Sequence, residues 1–268
     1  MSDNPNLLKI KAEASKLATM YKEDPKQNSF TALITGNLGS GKTFLFRTAR
    51  KPVHIDSFDP GGLRGLDEYI AKGEIIPDAR WEKEDPKKPT VFPLWMKAMA
   101  EREKIDYFSQ LGTFVIDSST FWGEAIMNDI LRKENVPGTA PKWERDYNPQ
   151  KVIIRNWVRE MVNLPCDFLM TGHLEAIEDK VTKVVTYRYM TTGKGTVLIP
   201  ALFDEVWVMD PKKVASGVEY RVLTKSTGTY LARSRLAKEG LLDAYEKPDL
   251  KHILKKANFA TSDKPLLT

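Results

Sequence analysis

Phe30-Thr-Ala-Leu-Ile-Thr-Gly-Asn-Leu-Gly-Ser-Gly-Lys-Thr43 decides how the chain is read. Its first half is an apolar, β-prone run. Its second half breaks into a glycine-rich turn ending in Lys-Thr and fits the phosphate-binding P-loop pattern at every position. Gly36, Gly39 and Gly41 let the backbone curl so that the N–H groups along Asn37, Leu38 and Ser40 face phosphate oxygens. A helix expected to begin near Lys42 adds its positive end. Lys42 supplies a point charge, and Thr43 an oxygen for Mg²⁺. The plainer alternative is a glycine turn joining a strand to a helix.

The chain of 268 residues is long enough to bury a full core and suggests one large α/β domain with small appendages. No apolar run approaches the roughly 18 residues of a membrane span, and the polar start Met-Ser-Asp-Asn-Pro is unlike a signal peptide. The expectation is a cytoplasmic protein with no membrane partner. Cys166 is the single cysteine, which excludes an intrachain disulfide and a Cys-rich metal site. The flanking Leu164-Pro and Asp-Phe-Leu-Met make it a buried strand residue. A net charge of +5 is compatible with a polyanionic partner but does not by itself point to nucleic acid.

Helical spacing of Leu7, Ile10, Ala14, Leu17, Ala18 and Tyr21 predicts an amphipathic helix that packs on its own domain, the alternative being an arm that links subunits. Residues 1–28 thus form a helix and linker, 29–240 a core and 241–268 a C-terminal helix and tail. After the loop, Thr43 to Arg50 should be the phosphate-binding helix, and Pro52 to Asp56 a second strand leading into Ser-Phe-Asp-Pro-Gly-Gly62. Asp56 and Asp59 either cap that turn or orient an attacking water. Residues 63–92 look irregular, with a charged, proline-bearing run over 82–89.

Leu111-Gly-Thr-Phe-Val-Ile-Asp-Ser-Ser-Thr120 is the second strong signal. Its apolar strand ends in Asp117, where a carboxylate can hold the water of a Mg²⁺ site beside Thr43. A fourth strand, Asp167 to His173, puts His173 at the same edge, either as a surface histidine or as a sensor of the terminal phosphate. A fifth runs from Glu205 to Met209. Helices are expected over 94–108, 121–133, 151–164 and 248–257.

Two stretches carry rings among cations. Residues 134–149 hold Trp143 and Tyr147 beside Lys142 and Arg145. Residues 174–196 read as an antiparallel hairpin with Lys183, Tyr187, Arg188, Tyr189 and Lys194. Positive charge for phosphates and rings for bases is what single-strand contact needs; an ordinary solvated hairpin has the same composition. Val218 to Thr224 and Thr229 to Ala232 read as a further hairpin.

Taken in order, Thr35 to Thr43, Val115-Ile-Asp-Ser-Ser119, Thr171-Gly-His173, Ile199 to Val206 and Ala232-Arg-Ser-Arg235 resemble the RecA-like ATPase core of bacteriophage AAA-type nucleotide-binding proteins. That group includes the single-strand annealing ATPases of recombination modules. The resemblance implies an α/β, RecA-like P-loop NTPase fold: a central, mostly parallel sheet flanked by helices, with added β-hairpins and core strands ordered 5-1-4-3-2. It implies ATP and Mg²⁺ as cofactors, with Lys42, Thr43, Asp117 and His173 converging on one nucleotide. It also implies single-stranded DNA, further copies of the chain with ATP sites near subunit interfaces, and a single-strand-binding protein as partners. Arg233 and Arg235 read as surface charges, the alternative being that one of them reaches a neighbour's nucleotide. One departure stands out: Phe58 occupies the position of the family's catalytic Glu. That leaves Asp59, Asp56 or Glu124 as the acid.

The resulting expectation is a DNA-stimulated ATPase that binds single-stranded DNA and promotes annealing or strand exchange. Its rivals are a nucleotide-gated loader that hydrolyses little, which Phe58 favours, and a P-loop kinase whose lid would lie within residues 78–92.

Overall fold

The computed structural model describes residues 5–235 and 240–267. Helix α1 (Pro5–Glu23) precedes β1 (Thr31–Gly36), β2 (Val53–Ser57), α2 (Asp67–Ala71), β3 (Ile75–Asp78), α3 (Val91–Lys104) and β4 (Thr113–Asp117). Then come α4 (Ser119–Lys133), α5 (Asn148–Met161), β5 (Asp167–Gly172), β6 (Leu174–Glu178), β7 (Val185–Tyr189), α6 (Gly195–Leu198) and β8 (Glu205–Met209). Short strands β9 (Lys212–Val214), β10 (Gly217–Glu219), β11 (Val222–Leu223), β12 (Arg233–Ser234) and β13 (Tyr245–Glu246) lead to α7 (Leu250–Lys256).

The main sheet has the order β13-β11-β8-β1-β5-β4-β2-β3, with β12 also pairing β8. From β8 to β3 every pairing is parallel. The five core strands read from the sequence therefore stand in the order the RecA-like resemblance implies, and the fold is α/β of that P-loop type. β3 adds an edge strand that the sequence reading left irregular, and Pro77, exposed on it, has no N–H to offer.

β1, β2, β4, β5 and β8 are buried along their whole length, as strands covered on both faces must be. Alternation sends Leu33, Phe114, Ile116, Phe168 and Met170 to one cluster with Trp95 of α3, Trp122 of α4 and Ile154 of α5. It sends Ala32, Ile34, Val115, Leu169 and Trp207 to the other, with Leu45 and with Leu250, Ile253 and Leu254 of α7. The C-terminal helix thus closes the second face. Cys166 is buried, and burial pushes its thiol up to about 12.

Three expectations are corrected. The helix after the phosphate loop is a six-residue 3-10 stretch, Thr43–Thr48. β2 already begins at Val53, so there is no room for several α-helical turns, and no helix dipole of useful length points at the loop. Helix α1 does not pack on its own domain: its residues from Asn6 onward are exposed, Ile10 by 65% and Leu17 by 56%. The hairpin expected over 218–232 is also absent. Instead β10 pairs β9, β11 lies between β8 and β13, and β12 pairs β8. The short strands extend the sheet because Val222 and Leu223 are buried against it. No helix among the described residues is long and apolar enough to cross a membrane.

Candidate functional site

Parallel strands β1, β2, β4 and β5 deliver their C-terminal ends to one edge of the sheet, where open α/β folds bind ligands. A cavity of about 550 Å³ lies there. Gly39 to Thr43, Asp59, Asp117 and His173 line it, so the structure brings together most of the residues singled out in the sequence.

The loop itself is built by glycine. Gly39 and Gly41 have φ of 71° and 90°, in the left-handed region where a side chain is strained. Lys42 is buried, and its Nζ donates to the carbonyls of Gly36 (2.9 Å) and Asn37 (3.0 Å). Burial pulls the ammonium's pKa down, against the opposing pull of Asp117 and Asp59. The Ser40 hydroxyl is buried without a partner among the described residues.

Asp117 is fully buried. Its Oδ2 accepts from the Thr43 hydroxyl at 2.8 Å, and its Oδ1 from that of Thr171. Burial, reinforced by the charge of Asp59, pushes the carboxyl up to about 6 despite both hydroxyls and Lys42. Asp59 is half-buried at the cavity wall, and its Oδ1 accepts the amide and the hydroxyl of Ser118, at 3.0 and 2.6 Å. The loop carrying Asp59 is held from behind by Glu82, which accepts from Ser57 Oγ (2.6 Å) and the Gly61 amide (2.9 Å). His173 Nδ1 lies 3.0 Å from Thr120 Oγ1, and its ring stands edge-on to Phe121. Burial and Lys42 lower its pKa, opposed by Asp59.

Asp56 is not at this site. It is completely buried, with Trp81 Nε1 (2.9 Å), Trp95 Nε1 (2.8 Å) and Arg102 donating to it and His54 Nε2 3.1 Å away. Burial opposes its charge, but His54 and Arg102 overcome that and hold the carboxyl far below the usual range. The ligating atoms of His54, Asp56 and Asp78 lie within 4.8 Å of one another, yet Arg102 already bridges both carboxylates. The group is an ion network that anchors β2 to α3, and a catalytic Asp56 is corrected to a structural one. Phe58 stacks on Trp81 in the same core. Glu124 lies on the exposed face of α4 and does not line the cavity; partial burial and Asp59 raise its pKa.

The hairpin after His173 forms as β6 and β7, separate from the main sheet. Arg188 and Lys194 are exposed, whereas Lys183 pairs with Glu178 at 3.4 Å. Tyr187 stacks on Tyr230 with ring centres 5.2 Å apart. Tyr189 turns inward: it is 6% exposed and its hydroxyl donates to Ser119 Oγ at 2.8 Å, so it is a core residue and offers no ring to a base. Trp143 is 65% exposed against Tyr147, while Arg145 is taken by the buried Asp146. Arg233 is held by the carbonyls of Pro200 and Phe203, and Arg235 by that of Ala201. Residues 79–92 pack through Trp81, Val91 and Phe92, Arg80 pairs with Asp78, and none of them lines the cavity, so this segment supplies no arginine lid.

Sequence reasoning missed the hydroxyls of Ser118, Thr120 and Thr171, which hold Asp59, His173 and Asp117. The Ser-Ser-Thr run after Asp117 and the Thr-Gly-His triplet were their only signals. It also missed Phe44, Arg47, Met209, Tyr220 and Pro248, which line the same cavity.

The cavity suits a Mg²⁺-nucleotide. Thr43 and Asp117 present hard oxygen donors side by side, the donor class Mg²⁺ takes. Burial penalises the charge on both Lys42 and Asp117; a phosphate beside one and a cation beside the other would relieve it.

No match is found among curated proteins. Among solved structures, a KaiC-like protein from the hyperthermophilic archaeon Pyrococcus horikoshii OT3 is similar at 15% identity and a TM-score of 0.38, over 74% of this chain and 79% of that one. The flagellar accessory protein FlaH from Methanocaldococcus jannaschii is similar at 11% identity and a TM-score of 0.36, over 72% and 76%. The family model described as AAA domain matches residues 28–236, from the linker before β1 past β12 and across the whole phosphate loop. The chain belongs to the AAA domain family of P-loop ATPases.

Proposed function

We propose that the chain hydrolyses Mg-ATP in this cavity and uses the change of state to alter its grip on single-stranded DNA, in annealing or strand exchange between copies of itself. The observation that carries the proposal is the fastening of the hairpin at His173. β6 starts at the next residue, and the Met190 amide at the far end of β7 donates to the His173 carbonyl at 2.9 Å. A residue lining the cavity is therefore also the hinge of the β6–β7 hairpin.

In this reading the loop amides and Lys42 bind the β- and γ-phosphates. Thr43 and Asp117 hold Mg²⁺, which when bound screens the phosphate charge. Asp59 orients the attacking water and accepts its proton, taking the place left by Phe58. His173 meets the γ-phosphate, and its displacement on hydrolysis moves the strands joined to it. Arg188 and Lys194 take DNA phosphates, and Tyr187 and the exposed Trp143 offer faces for bases.

The test is ATP turnover with and without single-stranded DNA, with DNA affinity measured in ATP, in ADP and without nucleotide. The proposal expects DNA to stimulate turnover and ATP to change the affinity. Lys42→Ala should abolish nucleotide binding without unfolding the protein. The buried Phe58 favours a second reading, a nucleotide-gated loader. It predicts ATP-dependent DNA or partner binding with negligible turnover, so the same experiment separates the two.

A further inference from the structure

The sheet order divides the cavity into two ends. β5, β4 and β2 lie on one side of β1 and bring His173, Asp117 and Asp59. β8 lies on the other side and brings Met209, with Tyr220 arriving just after β10 and Pro248 just before α7. If the first end holds the metal and the terminal phosphate, the second is left for the sugar and base. Its make-up differs sharply from the first.

Tyr220 lies directly over the loop. A methyl group added to Gly41 would stand 3.0 Å from the Tyr220 ring and 3.7 Å from Met209 Cε. The ring remains 45% exposed beside the cavity. Phe44, 48% exposed on the same lining with the Arg47 guanidinium over its ring at 5.4 Å, belongs to the other end, where its ring packs against Gly65 in the loop after β2. Apart from the Tyr220 and Ser40 hydroxyls, each able to donate or accept and so indifferent to which purine is bound, the Tyr220 end carries no polar side chain among the described residues. Asp210, Glu219 and Asp249, the acids next in sequence to Met209, Tyr220 and Pro248, do not line the cavity, and Asp210 pairs with Arg221 at 2.9 Å.

Purines are told apart by hydrogen bonds. Adenine is recognised through an acceptor for its amino group, and guanine through an acceptor for its N1–H and amino protons. A site that lacks such a partner rejects the wrong base weakly. We infer that the base is held by stacking on Tyr220 and by the apolar wall, so that the site accepts purine nucleoside triphosphates with little distinction between adenine and guanine. This rests on the nucleotide reading above and goes beyond it in naming the base-holding residue and the breadth of substrate.

The experiment measures the affinities of fluorescent ATP and GTP analogues with Mg²⁺ for the full chain and for Tyr220→Ala and Tyr220→Phe, with inorganic tripolyphosphate as a competing probe. The expected result is ATP and GTP within about tenfold of each other. Tyr220→Ala should weaken both by about ten- to a hundredfold, the usual worth of a stacked base. Tyr220→Phe should match the native chain, and tripolyphosphate should compete equally in all three. A hundredfold preference for one purine overturns the inference, as does Tyr220→Ala leaving both affinities unchanged. Loss of tripolyphosphate binding in Tyr220→Ala also overturns it, since the ring would then be supporting the loop and not the base. If the native chain binds neither nucleotide nor tripolyphosphate and Lys42→Ala behaves like it, the nucleotide reading itself falls.

Discussion

Asp59 grips Ser118 at two points, taking its amide at 3.0 Å and its hydroxyl at 2.6 Å. This joins the loop after β2 to the end of β4, and the neighbouring Ser119 continues the line by donating to the Thr171 carbonyl (2.7 Å) and accepting from Tyr189 (2.8 Å). The cavity wall and the hairpin are thus linked through two adjacent serines.

Asp59→Asn keeps an acceptor for Ser118 but cannot accept a proton. Turnover should fall by about a hundred- to ten-thousandfold, as for loss of a general base, while ATP affinity stays within a few-fold. Single-turnover kinetics beside equilibrium nucleotide binding checks this. Full turnover in the variant would leave Asp59 a structural tie alone.

Asp117 titrates at about 6 in the folded protein against an ordinary 3.8. The folded state therefore keeps this proton to a higher pH than the unfolded chain. Its contribution favours folding most below pH 4 and is lost as pH rises through 6, by about 3 kcal/mol for a gap of about two pH units. In the nucleotide-free protein, Asp117→Asn should gain stability over the native chain at pH 8 and little at pH 4. Urea unfolding of both chains at the two pH values reads the difference directly.

Asp56→Asn removes the charge that Arg102 and His54 face in the core. Losing one partner of a buried pair costs about 3–5 kcal/mol. Because the native carboxyl is depressed, its contribution is present above the ordinary carboxylate range and lost as pH falls below it. Folded variant should still bind ATP as the native chain does. A stable variant with abolished turnover would return Asp56 to catalysis.

Arg188→Ala on β7 with Lys194→Ala just before α6 should lower the slope of log affinity for single-stranded DNA against log salt by about 1.4, two phosphates' worth. Tyr189→Ala should act differently, costing about 3–5 kcal/mol of stability as a buried ring lost from a packed site. Salt titrations of DNA binding and urea unfolding separate the two effects.

The five core strands and their polar ends were legible because buried parallel strands are continuous apolar runs that stop at a charge or a glycine. Leu33 or Phe114 needs no partner in view to be placed. Asp56 was not legible in the same way. An aspartate ending a strand before Pro-Gly-Gly looks the same whether it turns to the ligand edge or sideways into the core, and Trp81, Trp95 and Arg102, which settle its direction, lie far along the chain. The i, i+2 pair of His54 and Asp56 was the one local hint of a shared face. Tyr187 and Tyr189 share a face of β7 in any alternating pattern. Only the packing of Tyr189 beside Gly172, where a methyl group would stand within 2.4 Å of the ring, shows that it is the buried one. The far end of the cavity escaped notice because Tyr220 and Pro248 come from short segments whose place depends on how β11 and β13 join the sheet.

Pro77 on β3 has a consequence for how copies of the chain meet. The sheet ends on one side in a four-residue strand carrying a proline and on the other in a two-residue strand, Tyr245–Glu246. Neither rim offers a row of amides and carbonyls long enough for a neighbour's strand to pair with. Among the described residues, copies of the chain are therefore kept from pairing edge to edge through the main sheet, and that route to fibril-like stacking is closed.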